Sequence, residues 1–461
     1  MSTRPGALAL LLHSHMPYVE GFGTWPFGEE WLWEAVASVY VPLLDVIDGH
    51  PVTVGLTPVL CDQFEAMRGD AGERYLTFLR DVRAPIHEED ARFLEPDLAA
   101  EIGRAAGDYA YDDARVRDLV GAFAALGRVE RWTSAATHAV LPLLATDAGL
   151  RLQLGTGIAS HERRFGHFGG GLWLPECAYE PVLERDLSEH GVRVFCVDQT
   201  AVHGLGAPEQ LEPVATEAGP VAVPIDWQTV ELVWNDRDGY PAHPVYRDYH
   251  RRTVHDLKPW NNAGEPYDHA AAVSLAREHA RDFIARARER LRDGGLLCCA
   301  VDTELLGHWW YEGPAWLAAV LEEAPAYGLE LVTLSEGIEL VEPVARELAA
   351  STWGTGKDMS TWDSPLVAEI AFTARRAELR TVAAASQAEP ALERAARELL
   401  ALQSSDWAFQ VTRGLAADYP LQRVKTHADA HERALKDSGP VPDPALRNLA
   451  PQLDLAPLCA P

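Results

Sequence analysis

The segment GLWLPECAY, residues 171–179, sets one carboxylate, Glu176, after a short apolar run and beside aromatic side chains. The apolar run is too short for a helix, and Pro175 removes a backbone donor and disfavours helix at Leu174. An ionised carboxylate is costly in an apolar setting unless it is paired or used chemically. The segment therefore predicts a strand end that delivers Glu176 into a cleft. A solvated glutamate at a strand–helix junction is the alternative that it leaves open.

A second segment, residues 296–314 with the sequence LLCCAVDTELLGHWWYEGP, has the same form. Its apolar strand, residues 296–301, ends in the carboxylate of Asp302, and aromatic residues follow. Aromatic rings stack on the faces of sugars, and a pair of carboxyl groups carries out glycosidic cleavage. Two strand-end carboxylates with aromatic neighbours therefore make Glu176 and Asp302 candidates for carbohydrate chemistry.

The 461 residues carry a formal net charge of −29 and are 47% hydrophobic, which is enough for a large barrel domain and a smaller second domain. The negative charge disfavours nucleic acids and anionic membranes as partners and fits a neutral substrate. Six cysteines show neither a CxxC pair nor zinc-ligand spacing, which predicts reduced thiols and a cytoplasmic protein. No apolar run reaches the roughly 18 residues that a membrane span requires.

Two histidines follow the first predicted strand. Residues 7–12 are apolar and predict a buried strand, and His13 and His15 come just past its C-terminal end. Alternation along the strand puts both histidines on the same side, at the end where barrels and open α/β sheets build their sites. Two ordinary polar residues or a metal-chelating pair remain open as alternatives.

The hydrophobic pattern changes twice along the chain. Residues 62–130 are mainly helical in pattern and carry many charges, whereas the chain beyond about residue 345 is wholly helical. We therefore expect a catalytic domain over residues 1–345, with a helical insertion at about 62–130. A C-terminal helical domain is expected over residues 346–461.

Five segments, taken in order, resemble glycoside hydrolase family 57, and within it the α-1,4-glucan branching enzymes. They are residues 13–18 (HSHMPY), residues 132–144 around His138, residues 173–179 (WLPECAY), residues 302–310 (DTELLGHWW) and the loop from Trp353 to Trp362. Ser405-Asp406-Trp407 in the helical part also resembles the branching-enzyme group. The resemblance covers nearly the whole chain.

This resemblance implies an α/β fold, namely a seven-stranded (β/α) barrel with a helical insertion and a C-terminal all-helical domain that contributes tryptophans to the site. It also implies a retaining mechanism in which Glu176 is the nucleophile and Asp302 the general acid/base. Asp302 must begin protonated, and its neighbours Trp309, Trp310 and Tyr311 are expected to supply the low polarity that raises a carboxyl pKa.

The resemblance further implies an α-glucan substrate such as amylose or a glycogen-like polysaccharide, without a cofactor or a metal. His13, His15 and His138 fall on motif histidines that line the donor sugar site, and Trp353 and Trp362 on tryptophans that shape the acceptor side. The other expected substrate-binding residues are Trp173, His308, Trp309, Trp260, Tyr240 and Asp406. The oligomeric state stays open, a monomer included.

The acceptor decides the reaction. Transfer to a glucan 6-hydroxyl makes an α-1,6 branch, whereas transfer to water is hydrolysis, so α-amylase or 4-α-glucanotransferase action is the nearest alternative. A metal-dependent polysaccharide deacetylase that uses His13 and His15 is a further alternative from another enzyme class, although no full ligand set is spaced for a metal. A non-catalytic glucan-binding protein is the third.

Overall fold

A computed structural model describes residues 6–24, 27–110, 113–385, 389–436, 446 and 448–459. The strands in these ranges are β1 (Gly6–Ser14), β2 (Thr53–Leu56), β3 (Glu130–Ser134), β4 (Gly171–Trp173), β5 (Val194–Val197), β6 (Val214–Ala215), β7 (Val221–Pro224), β8 (Gly295–Asp302), β9 (Glu330–Val332) and β10 (Val344–Ala345). The longest of them, β1 and β8, are apolar and almost wholly buried, as is typical of strands covered on both faces.

Seven parallel strands make the barrel, in the order β7-β5-β4-β3-β2-β1-β8. The two ends of this order meet at a parallel bridge between Ile225, just after β7, and Cys298 on β8. There the Asp226 N–H donates to the Cys298 carbonyl at 2.9 Å. The predicted seven-stranded (β/α) barrel is therefore confirmed.

The remaining short strands extend the sheet outside the barrel. β9 pairs with Ala7–Ala9 of β1, whereas the short β2 pairs only with Leu11–Ser14. β6 lies antiparallel to β7, and β10 pairs with β6. These additions leave the carboxyl ends of the barrel strands uncovered by sheet.

Helices make up most of the rest of the described chain. The α-helices are Glu29–Ala35, Val41–Ile47, Pro58–Ala66, Asp70–Phe78, Ala84–Phe93, Pro96–Ala106, Asp113–Arg117, Leu119–Ala125, Asp147–Phe165, Leu183–Glu189, Thr200–His203, Trp227–Trp234, His269–Arg290, Gly313–Glu323, Leu334–Leu340, Ala368–Ala383, Glu389–Leu402, Asp406–Arg413, Tyr419–Lys436 and Ala456–Cys459. Val36–Tyr40 and Leu79–Arg83 are π-helical. The 3₁₀ turns are Gly107–Tyr109, Leu141–Leu143, Pro175–Cys177, Pro208–Leu211, Tyr240–Ala242, Thr303–Leu305, Ala324–Tyr327, Thr355–Lys357 and Met359–Thr361.

The helices after residue 368 have an apolar core of their own, which also reaches the barrel. Leu399 and Trp407 lie inside that core, and Tyr18, Val59 and Ala136 from the loops and helices around the barrel belong to the same cluster. Burial of this shared apolar surface seats the helical region against the barrel. None of the helices in the described ranges combines the length and apolarity that a membrane crossing requires.

Gly171 at the start of β4 tests the packing between neighbouring barrel strands. A Cβ atom there would lie 2.0 Å from Nε1 of the buried Trp132, whose indole N–H donates to Glu130. We expect Gly171→Ala to destabilise the protein by about 1–3 kcal/mol, since overpacking a dense core forces side chains out of their rotamers. The measurement is the calorimetric unfolding temperature at one fixed scan rate.

Gly155, on the helix Asp147–Phe165, is the matched control because a Cβ atom there meets nothing within 4 Å. Gly155→Ala should raise the unfolding temperature slightly, since alanine favours a helix interior over glycine by about 1 kcal/mol. An unchanged unfolding temperature for Gly171→Ala would contradict the close packing of β3 against β4.

Candidate active site

The site forms where four barrel strands end. His13 on β1 lies in register with Asp302, the last residue of β8, and Ser134 on β3 lies in register with Trp173 on β4. Parallel strands present their carboxyl ends at one rim, and that rim is where barrel enzymes build their sites. The loops that leave β3 and β4 add His138 and Glu176 respectively.

The backbone turns sharply at three residues of the loops that follow β3 and β4. Glu176 has a φ of 59° and ψ of 20°, Cys177 a φ of 52° and His138 a φ of 60°, all in the left-handed region. Such conformations cost of order 1–3 kcal/mol each for residues other than glycine. The turn at Glu176 is held because the Cys177 N–H donates to Leu174 at 2.8 Å and the Trp353 N–H donates to the Glu176 carbonyl at 3.0 Å.

Two donors hold the Glu176 carboxylate. Trp353 Nε1 donates to Oε2 at 2.9 Å, and Ser405 Oγ donates to Oε1 at 2.7 Å. Burial raises the pKa of Glu176 above its ordinary value, while the hydrogen bonds from Trp353 and Ser405 act to lower it. The Glu176 side chain is therefore largely withdrawn from solvent, at 12% exposure, and two specific donors face its charge.

Aromatic rings stack beside this carboxylate. The ring centroids of His15 and His138 are 4.0 Å apart, those of His13 and Trp173 are 4.6 Å apart, and Trp173 meets Trp353 edge-on at 4.8 Å. His13 Nε2 and His138 Nε2 share a hydrogen bond of 2.9 Å. The sequence-predicted residues His13, His15, His138, Trp173 and Trp353 are thus brought together around Glu176.

His13 and His138 are held neutral, whereas His15 favours the charged form. Burial, and then the charge of His15, lowers the pKa values of His13 and His138 well below the ordinary range. Burial alone would lower the pKa of His15 as well, but the charge and hydrogen bond of Asp406 outweigh it and raise that pKa. Asp406 Oδ2 lies 2.9 Å from His15 Nε2, so the two form a partly buried ion pair.

Asp302 is the carboxyl group that most favours its proton in this site. Burial raises its pKa well above the ordinary value, and the charges of Glu304, Glu176 and Asp406 raise it further. The pKa of Glu304 itself is raised by burial to about 7, against the hydrogen bond that Tyr40 donates to it. The raised pKa of Asp302 favours the protonated form that a general acid requires.

The aromatic neighbours of Asp302 in sequence make their ring contacts elsewhere. Trp309 meets Trp234 edge-on, with centroids 6.1 Å apart, and is 39% exposed. Trp310 packs among Tyr240 and Tyr246 in the core. Burial is the main cause that raises the pKa of Asp302, and the charges of neighbouring carboxylates add to it.

Two substrate-binding candidates, Tyr240 and Trp260, make their contacts within the segment between β7 and β8. Tyr240 stacks on His279 at 4.5 Å and donates to Asp282 at 2.7 Å, which ties it to the long helix His269–Arg290. Trp260 lies under the guanidinium of Arg251, 4.4 Å from its ring centroid.

The remaining substrate-binding candidates, His308, Trp309 and Trp362, lie in two places. His308 and Trp309 line a cavity of about 390 Å³ together with Tyr249 and Lys258. Burial lowers the pKa of His308 to about 3, and the Tyr249 hydroxyl lies 3.4 Å from its Nε2. Trp362 is 3% exposed and belongs to the core of the helical region.

Ser405, Glu304 and Tyr40 are site residues that the sequence analysis did not single out. Ser405 stands in a quoted segment, yet nothing local shows that its hydroxyl reaches Glu176. Glu304 follows Asp302 by two residues, and that spacing was a usable signal for a second carboxylate at the same strand end. Tyr40 lies in a helical stretch with no motif around it.

One group of potential metal ligands occurs in the described ranges, formed by His15, His138 and Asp406, with ligand atoms within 4.8 Å of one another. All three side chains already make hydrogen bonds within the protein: His15 to Asp406, and His138 to His13 and Ser405. A metal bound here would have to break the His15–Asp406 pair.

Comparison with known proteins adds family models and relatives. A model described as glycosyl hydrolase family 57 matches residues 9–349, and one described as the C-terminal part of 1,4-alpha-glucan branching enzyme matches residues 370–445. A 1,4-alpha-glucan branching enzyme from Thermococcus kodakarensis is 34% identical, across 93% of this chain and 73% of its own length. A probable 1,4-alpha-glucan branching enzyme from Mycobacterium tuberculosis is 34% identical, across 92% and 91%.

Among solved structures, the GH57-type branching enzyme from Pyrococcus horikoshii is 31% identical and superposes with a TM-score of 0.89. The match covers 98% of this chain and 96% of that one. The similarity therefore extends over the barrel and the helical region together.

The His15–Asp406 pair gives a titration test. We expect Asp406→Asn to lower the pKa of His15, because the substitution removes the negative charge that raises it while burial remains. The measurement is histidine-resolved NMR titration of protein labelled with ¹⁵N-histidine.

Asp363→Asn, at an exposed acid of the helical region that pairs with Arg375, is the control and should leave the His15 titration in place. An unshifted His15 pKa in Asp406→Asn would show that the pair does not set the charge of His15.

Proposed function

This chain belongs to glycosyl hydrolase family 57, and on that basis we propose that it is a 1,4-α-glucan branching enzyme. Its substrate is an α-1,4-glucan such as amylose or a glycogen-like polysaccharide. It transfers a segment of that glucan to a 6-hydroxyl, with retention, and so makes α-1,6 branches. The neutral substrate fits a chain with a formal charge of −29.

The observation that carries this proposal is that the surroundings of two partly buried carboxyl groups favour opposite protonation states. Asp302 has a pKa well above its ordinary value and lies where three other carboxylates oppose its ionisation. Glu176 receives hydrogen bonds from Trp353 and Ser405, which favour its ionised form. A protonated acid beside an ionised nucleophile is the requirement of a retaining glycosidase-type mechanism.

In the first step Asp302 gives its proton to the leaving glycosidic oxygen while Glu176 attacks the anomeric carbon. A covalent glycosyl-enzyme forms, and the part of the donor beyond the broken bond leaves. Asp302, now ionised, accepts the proton of the incoming 6-hydroxyl as that oxygen attacks the anomeric carbon and releases Glu176. Two inversions at the same carbon give net retention.

The rings around Glu176 bind and orient the donor sugar. His13 and His138 are neutral, so they do not oppose the positive charge that develops on the sugar. Trp173 and Trp353 offer apolar edges beside the same carboxylate. The His15 ring, which is paired with Asp406, stacks on His138 beside the same carboxylate.

Following the family resemblance, we assign Trp353 and Trp362 to the acceptor side. Trp260, Tyr240, His308 and Trp309 are further candidates for contact with the glucan. The proposed catalytic domain covers residues 1–345, with a helical insertion at about 62–130, and the helical domain covers residues 346–461. Cytoplasmic location is proposed from the six cysteines, which are all unpaired thiols in the described structure.

Linkage analysis of products tests the reaction type. Incubation with linear amylose should yield α-1,6 branches that a debranching enzyme releases as short chains, with a small rise in reducing ends. Methylation analysis and reducing-end assays measure the two quantities. New reducing ends without debranchable chains would assign α-amylase action instead, and linear chains of redistributed length would assign 4-α-glucanotransferase action.

Substitution of Glu176 tests the nucleophile. We expect Glu176→Gln to lower kcat by at least about 10⁴-fold, as removal of a covalent nucleophile does, because the amide cannot form the glycosyl-enzyme. Thermal unfolding and amylose binding should stay close to those of the unsubstituted protein. Substantial residual turnover in Glu176→Gln would contradict the assignment.

A further inference from the structure

Ser405 comes from the helical region and lies between Glu176, the proposed nucleophile, and His138. We propose that Ser405 is a positioning residue that holds Glu176 ready for attack and selects one tautomer of His138. This inference rests on the proposed role of Glu176. The Ser405 hydroxyl is 2.7 Å from Glu176 Oε1 and 2.9 Å from His138 Nδ1, so one oxygen contacts both.

The chemistry of the Glu176 carboxylate, the Ser405 hydroxyl and the His138 imidazole determines which group donates each hydrogen bond. An ionised carboxylate only accepts, so the single hydroxyl hydrogen of Ser405 goes to Glu176. The remaining contact of the hydroxyl oxygen must then be filled by a donor, and His138 Nδ1–H is that donor. His138 Nδ1 is 3.8 Å from Glu176 Oε1, too long for a direct hydrogen bond, so the histidine acts on the carboxylate through Ser405.

This assignment continues to the next histidine. A neutral His138 with its proton on Nδ1 presents a lone pair at Nε2. His13 Nε2–H is therefore the donor in the 2.9 Å contact between the two rings. His13 Nδ1 is left as an acceptor, and it has no hydrogen-bond partner in the described part of the chain. The hydrogen bonds thus run in one direction, from His13 through His138 and Ser405 to Glu176.

The backbone fixes Ser405 in this place. Its N–H donates to the His138 carbonyl at 3.1 Å, and the neighbouring Ser404 forms an antiparallel bridge with Ala139. Ser405 also stands at the N-cap of the helix Asp406–Arg413, where serine commonly accepts from a backbone N–H, yet its side chain makes no capping hydrogen bond. The hydroxyl is committed to Glu176 instead of to its own helix.

The charged surroundings of Glu176 make this hydrogen bond consequential. Asp406 presents negative charge to it, His15 presents positive charge, and the raised pKa of Asp302 and the lowered pKa of His138 favour their neutral forms. Burial already disfavours the ionised carboxylate. Removing the Ser405 hydroxyl leaves Trp353 as the side-chain donor that the structure shows on Glu176 and deprives His138 Nδ1–H of its acceptor.

The test isolates the nucleophilic step. With α-maltotriosyl fluoride as donor, the leaving fluoride needs little help from an acid, so the acidic limb of the pH profile of kcat/KM reports ionisation of Glu176. We expect Ser405→Ala to move this limb upward by about one pH unit, since a hydrogen bond to a charged group is worth about 1.5–3 kcal/mol and one unit equals about 1.36 kcal/mol. The rate on the acidic side then falls about tenfold.

Two variants separate positioning from folding. Ser405→Thr keeps the hydroxyl and should keep the limb of the unsubstituted enzyme. Ser405→Cys replaces it with a weaker donor of similar shape and should give an intermediate shift. Ser274→Ala, at an exposed serine on the helix His269–Arg290, is the matched control and should leave the profile unchanged.

The outcomes distinguish the two proposals. If Glu176→Gln is inactive and the acidic limb of the kcat/KM profile of Ser405→Ala moves to higher pH, the positioning role is supported. If Glu176→Gln is inactive but the acidic limb of Ser405→Ala does not move, the role of Ser405 is overturned and the nucleophile assignment stands. This holds even if Ser405→Ala unfolds at a lower temperature. An active Glu176→Gln on the fluoride overturns the nucleophile itself.

Discussion

The burial of the Glu176 carboxylate is the constraint on which the site depends. A charge removed from water is tolerated only where hydrogen-bond donors replace the solvent. Trp353 supplies one donor from its side chain and a second contact from its backbone, and Ser405 supplies the other. Both donors come from beyond the last strand of the sheet, so the helical region must be seated on the barrel before the carboxylate is satisfied. The apolar core that includes Tyr18 and Trp407 provides that seating.

The site contains four carboxyl groups, and their mutual repulsion opposes the ionisation of all four at once. Glu176, Asp302, Glu304 and Asp406 influence one another, and His15 is the cation that the structure places among them. Asp406 forms the ion pair with His15, and this contact keeps the pKa of Asp406 below its ordinary value although burial acts to raise it. Asp302 is left with three negative neighbours and retains its proton. The division into acid and nucleophile is therefore a property of the whole group of charges rather than of either residue alone.

Local sequence was sufficient for the strand-end carboxylates but not for all aromatic contacts. Trp309 and Trp310 follow Asp302 in sequence, and they make ring contacts with Trp234, Tyr240 and Tyr246 from a different part of the chain. The Tyr240 hydroxyl donates to Asp282 on the long helix His269–Arg290. A motif places a residue along the chain, whereas the direction of its side chain depends on the turn that carries it.

The sequence by itself determined the two candidate strand-end carboxylates, because buried parallel strands appear as apolar runs whose ends change abruptly to polar residues. The α/β barrel with its helical C-terminal part was implied by the resemblance of the motifs to glycoside hydrolase family 57. Tertiary structure alone decided which donors meet Glu176. Ser405 is 229 residues away and Trp353 is 177 residues away, and no local pattern encodes such pairings. The protonation of Asp302 was likewise decided by the fold, since it follows from depth of burial and from charges that only folding brings together.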